Sequence, residues 1–144
     1  MFILDTNILS AMMSLRPSPE VAAWVDGQPE ELLFTTSISQ AEILSGLAIM
    51  EEGRRRRDLE AAATAIFKEE FEGRVLPFDM EAAVAYADIF AARRRAGRPT
   101  ATLDLMIASV ARSHGASVVT RDIGGFECCG LTLIDPWAVS GGRR

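Results

Sequence analysis

The stretch Phe-Ile-Leu-Asp-Thr-Asn at residues 2–7 decides the fold class, because it joins an apolar run to an acid and a helix start. Residues 2–4 are typical of a short buried strand, and residues 6–14 have the apolar spacing of a helix. Asp5 stands between the two, at the carboxyl end of the predicted strand. The stretch is a strand–acid–helix unit of the kind from which parallel sheets are built.

The rest of the chain continues this alternation. We predict further strands at residues 32–36, 74–78, 116–120 and 131–134. We predict further helices over residues 18–25, 39–51, 58–71, 79–96 and 102–114. Pro77 favours an edge position for the third strand. The alternation predicts an α/β fold, a three-layer α/β/α sandwich with a central five-stranded parallel sheet, as a single domain over residues 1–144.

Length and composition exclude several classes of protein. The chain has 144 residues, of which 49% are hydrophobic, so it is long and apolar enough for one folded domain. Its apolar stretches are shorter than the roughly 18 residues that span a bilayer, and residues 1–5 lack the basic segment of a signal peptide. We therefore expect a cytoplasmic protein without membrane contact. Cys128 and Cys129 are adjacent and His114 is the only histidine, which argues against a zinc site.

A net charge of −5 argues against a protein that holds nucleic acid by its phosphates alone. The charge is uneven, however, with arginines clustered at residues 54–57, 93–98 and 143–144. Several acids are also candidate metal ligands, and bound divalent cations would offset much of the negative charge. An RNA or DNA ligand is therefore compatible with the composition.

Three arginines, Arg93, Arg94 and Arg98, are the better candidates for contact with substrate phosphates, because they precede the acid Asp104 in sequence. The arginines at residues 54–57 are interpreted instead as a solvated helix start.

Four acids are predicted to meet at one edge of the sheet: Asp5, Glu42, Asp104 and Asp122, called here the four acids. Asp5 and Asp122 follow the first and fourth strands, and Glu42 and Asp104 lie in the first turns of two helices. If those two strands are neighbours, the acids converge where parallel sheets bind ligands. Converging carboxylates repel one another without a cation. Carboxylate oxygens favour Mg²⁺ or Mn²⁺ over Zn²⁺.

Each of the four acids also has a purely structural alternative. Asp5 can cap the helix that follows it, and Glu42 stands three residues after Ser39, which is the spacing of a capping box. Asp104 suits the positive end of a helix dipole, and Asp122 suits a turn. The hypothesis of a shared metal site therefore depends on the joint placement of the acids.

Short motifs lie in order along nearly the whole chain, at residues 4–7, 41–46, 74–79, 86–87, 104–108, 120–126 and 135–137. In this order they resemble the motifs of the PIN-domain ribonucleases, in particular the VapC-like and FitB-like toxins of type II toxin–antitoxin pairs. The resemblance implies a five-stranded parallel sheet between helices. It also implies that the four acids bind Mg²⁺ or Mn²⁺ and catalyse endonucleolytic cleavage of RNA.

The same resemblance implies supporting residues and partners. Thr6, Asn7 and Thr120 would orient the acids by hydrogen bonds. The implied partners are a second copy of the chain and a small antitoxin protein, with promoter DNA bound only through the antitoxin.

Other acidic-pocket proteins fit less well. A receiver domain needs a lysine near its acids, and the only lysine, Lys68, falls in a helix between the second and third strands. A haloacid-type phosphatase needs Asp-x-Asp after the first strand, but Asp5 is followed by Thr6 and Asn7. A nucleotide-binding module needs a glycine-rich loop there, and the sequence has none at that place. The alternative that stays open is a catalytically weak or silent PIN-fold protein that acts through its complex with antitoxin and DNA.

Overall fold

Short parallel strands form the centre of the computed structural model, which describes residues 1–141 and the side chains of residues 1–138. The strands are β1 (Phe2–Leu4), β2 (Leu33–Thr36), β3 (Val75–Leu76), β4 (Ser117–Val119) and β5 (Leu133–Ile134). They form one five-stranded sheet in the order β3-β2-β1-β4-β5, and every pairing is parallel.

Helices connect and cover these strands. Those in the described residues are α1 (Thr6–Met13), α2 (Pro19–Asp26), α3 (Ser37–Ala48), α4 (Arg54–Thr64), α5 (Met80–Arg95), α6 (Thr102–Ser113), α7 (Ile123–Phe126) and α8 (Pro136–Gly141). A 3-10 turn, Glu30–Leu32, precedes β2, and a π-helical segment, Ala65–Glu70, continues α4. No helix within residues 1–141 has the length and apolar character needed to cross a membrane.

Neighbouring residues of the central strands point into two different cores. Ile3 and Val118 pack with α5 and α6, whereas Leu4 and Val119 pack with α1 to α4, and all four side chains are fully buried. Strands that are buried on both faces are expected where helices cover both sides of a parallel sheet. The predicted three-layer α/β/α sandwich is therefore confirmed, and β3 occupies the edge position that Pro77 indicated.

The order of the strands reverses beside β1. From β1 the chain moves outward through β2 to β3, and it then returns to the other side of β1 to add β4 and β5. Open parallel sheets bind ligands beyond the carboxyl ends of the strands at such a reversal. The prediction of a shared acidic site required the first and fourth strands to be neighbours. The structure meets this requirement, because β1 pairs with β4.

The start of α3 differs from the prediction, which placed it at Ser39. Thr36 has an extended backbone and its hydroxyl accepts a hydrogen bond from the Ser39 amide, so it is the N-cap and the helix begins at Ser37. Glu42 consequently lies in the second turn of α3. Its predicted first-turn position and the capping-box interpretation with Ser39 are both wrong, because the last residue of β2 already caps the helix.

Other boundaries differ by a few residues. α4 begins at Arg54 rather than Asp58, and its arginines form exposed ion pairs one turn apart, such as Arg56 with Glu60. The short helices α7 and α8 were not predicted. The basic residues at 143–144 lie outside the described part of the chain.

Candidate metal centre

The four acids line one open cavity of about 400 Å³ at the carboxyl edge of the sheet. Thr6, Asn7 and Ser10, all from α1, complete its lining. The structure thus brings together the residues that the sequence predicted to converge. Ser10 is the one lining residue that was not predicted from the sequence. Its only signal in the sequence was its position one helical turn after Thr6.

Asp5 is the most constrained of the four acids. Its side chain caps α1 by accepting from the Thr6 amide at 2.8 Å, and only 4% of the residue is exposed. The Thr120 hydroxyl donates to Asp5 Oδ2 at 2.8 Å, and the Asn7 amide nitrogen donates to the same oxygen at 3.2 Å. Thr120 in turn accepts from Asn7 and from the Asp122 main chain. Asp5 therefore both caps α1 and lines the cavity.

Glu42 is held from the other side of the cavity by Thr6. The Thr6 hydroxyl donates to Glu42 Oε1 at 2.8 Å and lies 2.9 Å from the Ser39 hydroxyl. Ser39 is fully buried. The sequence associated Ser39 with Glu42 through the spacing of a capping box, and the structure connects them instead through the hydroxyl of Thr6.

Asp104 and Asp122 meet over a glycine. Asp122 caps α7 and accepts from the Gly125 amide at 3.2 Å. A β-carbon placed on Gly125 would lie 2.6 Å from Asp122 Oδ2 and 3.0 Å from Asp104 Oδ2. Both carboxylates therefore occupy the space that a side chain at position 125 would need. Sequence reasoning missed Gly125, and its only signal was the pair of glycines shortly after Asp122.

The electrostatics of the cavity disfavour ionisation of Asp104 and Asp5. Burial raises the pKa of Asp104 to about 6, and the charges of Asp5, Asp122 and Glu42 add to the rise, while Arg93 opposes it. Burial also raises the pKa of Asp5, against the hydrogen bonds from Thr120 and Thr6. When several carboxyl groups lie close together, each negative charge disfavours ionisation of the others. A nearby cation stabilises their ionised forms.

The residues present fit a hard divalent ion. The cavity offers carboxylate oxygens, hydroxyls and an amide, with no thiol or imidazole in its lining, and such donors suit Mg²⁺ or Mn²⁺. Within the described residues, no three acidic, histidine or cysteine side chains are already arranged around one point for an ion. The case for an ion therefore depends on donor chemistry and on the mutual repulsion of the acids.

The arginines that were predicted to contact substrate differ in position. Arg93 is only 3% exposed, and its guanidinium donates to the carbonyls of Pro99, Gly124 and Glu127. It is enclosed in the protein and is not available to a substrate, so this part of the prediction is corrected. Arg94 is exposed, and Arg98 is half-exposed and paired with Glu127.

A second cavity of similar size, about 410 Å³, lies between α1, α2, α4 and the π-helical segment. Its lining is mostly apolar, and the only acids in it are Asp26 and Glu70. It matches the acidic cavity in volume but offers no comparable group of reactive side chains. We therefore place the candidate site at the sheet edge.

The fold and the cavity together define an α/β protein with an acidic site at the switch point of a parallel sheet. The chain belongs to the PIN domain family, which matches residues 2–127, and the family resemblance of its motifs is thereby confirmed.

Individual relatives match over nearly the whole chain. It is 39% identical to the VapC ribonuclease Y4jK of Sinorhizobium fredii over 137 residues, covering 95% of this chain and 98% of that protein. It is 33% identical to the toxin FitB of Neisseria gonorrhoeae, covering 95% and 99%. The solved structure of FitAB bound to an IR36 DNA fragment superposes with a TM-score of 0.88 at 33% identity, covering 95% and 96%.

Proposed function

We propose that this protein is a metal-dependent endoribonuclease and acts as the toxin of a type II toxin–antitoxin pair. The observation that carries the proposal is the convergence of the four acids in one open cavity at the switch point of the sheet. The similarity to a VapC ribonuclease and to the toxin FitB supports RNA as the substrate and toxicity as the role. We place this activity in the cytoplasm.

The four acids are the proposed ligands and catalytic residues. A bound Mg²⁺ or Mn²⁺ would lower the pKa of a water and neutralise charge on the scissile phosphodiester. Asp5 is the fixed member, because Thr120 and Asn7 both donate to its Oδ2. Thr6 orients Glu42 in the same way. Such supporting hydrogen bonds fix the direction in which a ligand presents its oxygens.

The substrate is expected to approach from solvent, because the cavity is open. The exposed Arg94 and the half-exposed Arg98 remain our candidates for contact with RNA phosphates. Their charge would offset the repulsion between an acidic cavity and a polyanion.

We further propose that the chain forms a homodimer and binds a small antitoxin protein, with promoter DNA bound only through the antitoxin. The similarity to the FitAB complex that was solved with a DNA fragment supports a partner protein and DNA binding by the pair. The homodimer, and DNA binding only through the antitoxin, rest on the family resemblance. Purification from the native host should recover a small partner protein. Promoter DNA should be retained by the purified pair and not by this chain alone.

An RNA cleavage assay tests the enzymatic part. Wild type should cleave one or more of tRNA, mRNA and rRNA with Mg²⁺ or Mn²⁺ and lose this activity in EDTA. Asp5→Asn and Glu42→Gln should abolish cleavage. Glu52→Gln is the matched control, because this exposed acid follows α3 outside the cavity and its substitution removes the same charge.

The alternative, a catalytically silent PIN-fold protein, predicts a different pattern. Wild type and the acid variants would leave all three kinds of RNA equally intact, while the partner and promoter DNA would still bind. That result would overturn the nuclease proposal and leave the interaction role.

A further inference from the structure

Arg93 lies near the end of α5, and its buried guanidinium contacts two loops that flank the acidic cavity. Nε and Nη2 donate to the Pro99 carbonyl at 3.0 and 2.6 Å. Nη1 donates to the carbonyls of Gly124 and Glu127 at 3.3 and 2.6 Å. One side chain therefore joins the α5–α6 loop, residues 96–101, to the segment that contains α7.

Each of these two segments leads directly to one of the acids. Pro99 lies just before α6, whose first turn contains Asp104. Gly124 precedes Gly125, the residue over which the carboxylates of Asp104 and Asp122 meet. The contacts thus run from Arg93 through Gly124 to Gly125, beside which the carboxylates of Asp104 and Asp122 both lie.

A second arginine connects the same segments at the surface. Arg98 in the α5–α6 loop forms an ion pair with Glu127 at 2.5 Å, and both side chains are about two-fifths exposed. An exposed pair of this kind contributes little on its own. The buried guanidinium is the stronger connection, because its planar fork can bond several carbonyls at once and remains charged.

We propose that Arg93 is a positioning residue of the metal centre, which sets the separation of Asp104 and Asp122 by joining the two segments that adjoin them in sequence. This inference rests on the proposed metal site. It assigns a role to a buried guanidinium whose hydrogen bonds go to main-chain carbonyls and not to the proposed ligands. Its charge nevertheless opposes the rise in the pKa of Asp104.

Two variants separate the geometry of Arg93 from its charge. Arg93→Lys keeps a positive charge but has a single ammonium group, which cannot reach Pro99 and Gly124 together. Arg93→Met removes both charge and hydrogen bonds. Arg95→Met is the matched control, because Arg95 lies two residues away on α5 and is exposed.

The first measurement is Mn²⁺ affinity by calorimetry at a temperature where circular dichroism shows each variant to be folded. We expect about tenfold weaker binding for Arg93→Lys, at least as large a loss for Arg93→Met, and no change for Arg95→Met. If Arg93→Met does not fold, Arg93→Lys carries the test. Mn²⁺ affinities within twofold of wild type in the folded Arg93 variants would overturn the inference and leave Arg93 as a stabilising residue only.

The second measurement needs no metal. The Gly125 amide donates to Asp122 Oδ1, so its hydrogen exchange in EDTA reports the position of that carboxylate. In Arg93→Lys we expect at least tenfold faster exchange at Gly125, with unchanged exchange at Val118 in the central sheet. Unchanged exchange at Gly125 would overturn the positioning role. If wild type binds no Mn²⁺ while Arg93→Lys still shows faster exchange at Gly125, the result would instead contradict the metal site alone.

Discussion

The Thr120 hydroxyl donates a 2.8 Å hydrogen bond to Asp5 Oδ2 and thereby joins the carboxyl ends of β4 and β1, between residues 115 positions apart in sequence. Both residues are buried. The contact restrains the most enclosed carboxylate of the site and also helps to keep the pair of central strands in register.

Replacing Thr120 by valine, which has nearly the same shape, should weaken both the fold and the site. Valine removes the hydroxyl that donates to Asp5 and accepts from Asn7 and from the Asp122 amide. We therefore expect the metal-free protein to lose about 1 to 3 kcal/mol of unfolding free energy at pH 7. Mn²⁺ affinity should fall by about tenfold. Urea denaturation and calorimetry measure the two effects. Thr132→Val is the control at an exposed threonine, and equal losses in both variants would contradict the role of this hydrogen bond.

The metal-free protein should lose stability as the pH rises from about 4 to about 6. Asp104 has a pKa of about 6 in the folded protein, against 3.8 for the ordinary carboxyl group. In this interval the folded state binds more protons than the unfolded chain, so unfolding becomes easier as the pH increases. The stability that this proton provides is complete below pH 4 and is lost above pH 6.

Asp104→Asn should remove this dependence. In EDTA, we expect the unfolding free energy of the variant to match that of wild type at pH 4 and to exceed it by about 1 kcal/mol at pH 7. This difference is smaller than the full pKa shift implies, because Asp104 is only partly buried and solvent screens its charge. Asp88→Asn on α5 provides an exposed control. Parallel stability curves for wild type and Asp104→Asn, measured by urea denaturation across this range, would contradict the raised pKa.

Gly125→Ala should damage the site more than the fold. The added methyl group would lie within 3.0 Å of carboxylate oxygens of both Asp104 and Asp122. These are the ends of side chains and can move, so we expect the unfolding free energy to change by less than about 1 kcal/mol. Because the carboxylates must separate, Mn²⁺ affinity should fall by at least about tenfold.

The neighbouring glycine offers a close control for this substitution. Nothing lies within 4 Å of a β-carbon on Gly124, and its carbonyl, which accepts from Arg93, is kept in Gly124→Ala. We expect Gly124→Ala to bind Mn²⁺ like wild type. If the two alanine variants bind Mn²⁺ equally, the glycine at 125 is not required for the approach of the acids.

Arg94→Gln should weaken RNA binding without changing metal affinity, because Arg94 is exposed at the end of α5. Loss of one phosphate contact should reduce the slope of log affinity against log salt by about 0.7 for single-stranded RNA. Fluorescence anisotropy with an Asp5→Asn background would measure binding without cleavage. Arg55→Gln on α4 removes the same charge elsewhere, and an identical salt slope in both variants would argue against a specific contact.

Much of the architecture follows from local sequence patterns. The apolar run of residues 2–4 and the helical spacing of residues 102–114 each match an observed element closely. The convergence of the four acids follows too, because parallel strands present their carboxyl ends at one edge of the sheet. The strands and helices depend on periodicity, which a single sequence records directly. The convergence also depends on β1 and β4 being neighbours, which the structure supplies.

The errors concern contacts between distant residues. Ser39 and Glu42 have the spacing of a capping box, but the choice of cap depended on where β2 ends, and Thr36 occupies that position. Arg93 stands beside Arg94 in sequence, yet one is buried among carbonyls and the other faces solvent. Arg93 lies on the buried face of α5 with Ala82 and Ile89, at helical spacing, so periodicity could have placed it inward. Its carbonyl partners depend on how the α5–α6 loop folds back, and no local pattern specifies those.

The central position of β1 affects when the acidic cavity can exist during synthesis. A ribosome that has completed residues 1–100 has made β1, β2, β3 and the acids Asp5 and Glu42, but not β4 or the two remaining acids. Translation delivers the amino-terminal part first, so the cavity can close only when the last third of the chain arrives beside the first strand. An interrupted translation product would consequently carry two of the four acids and no Thr120 to hold Asp5.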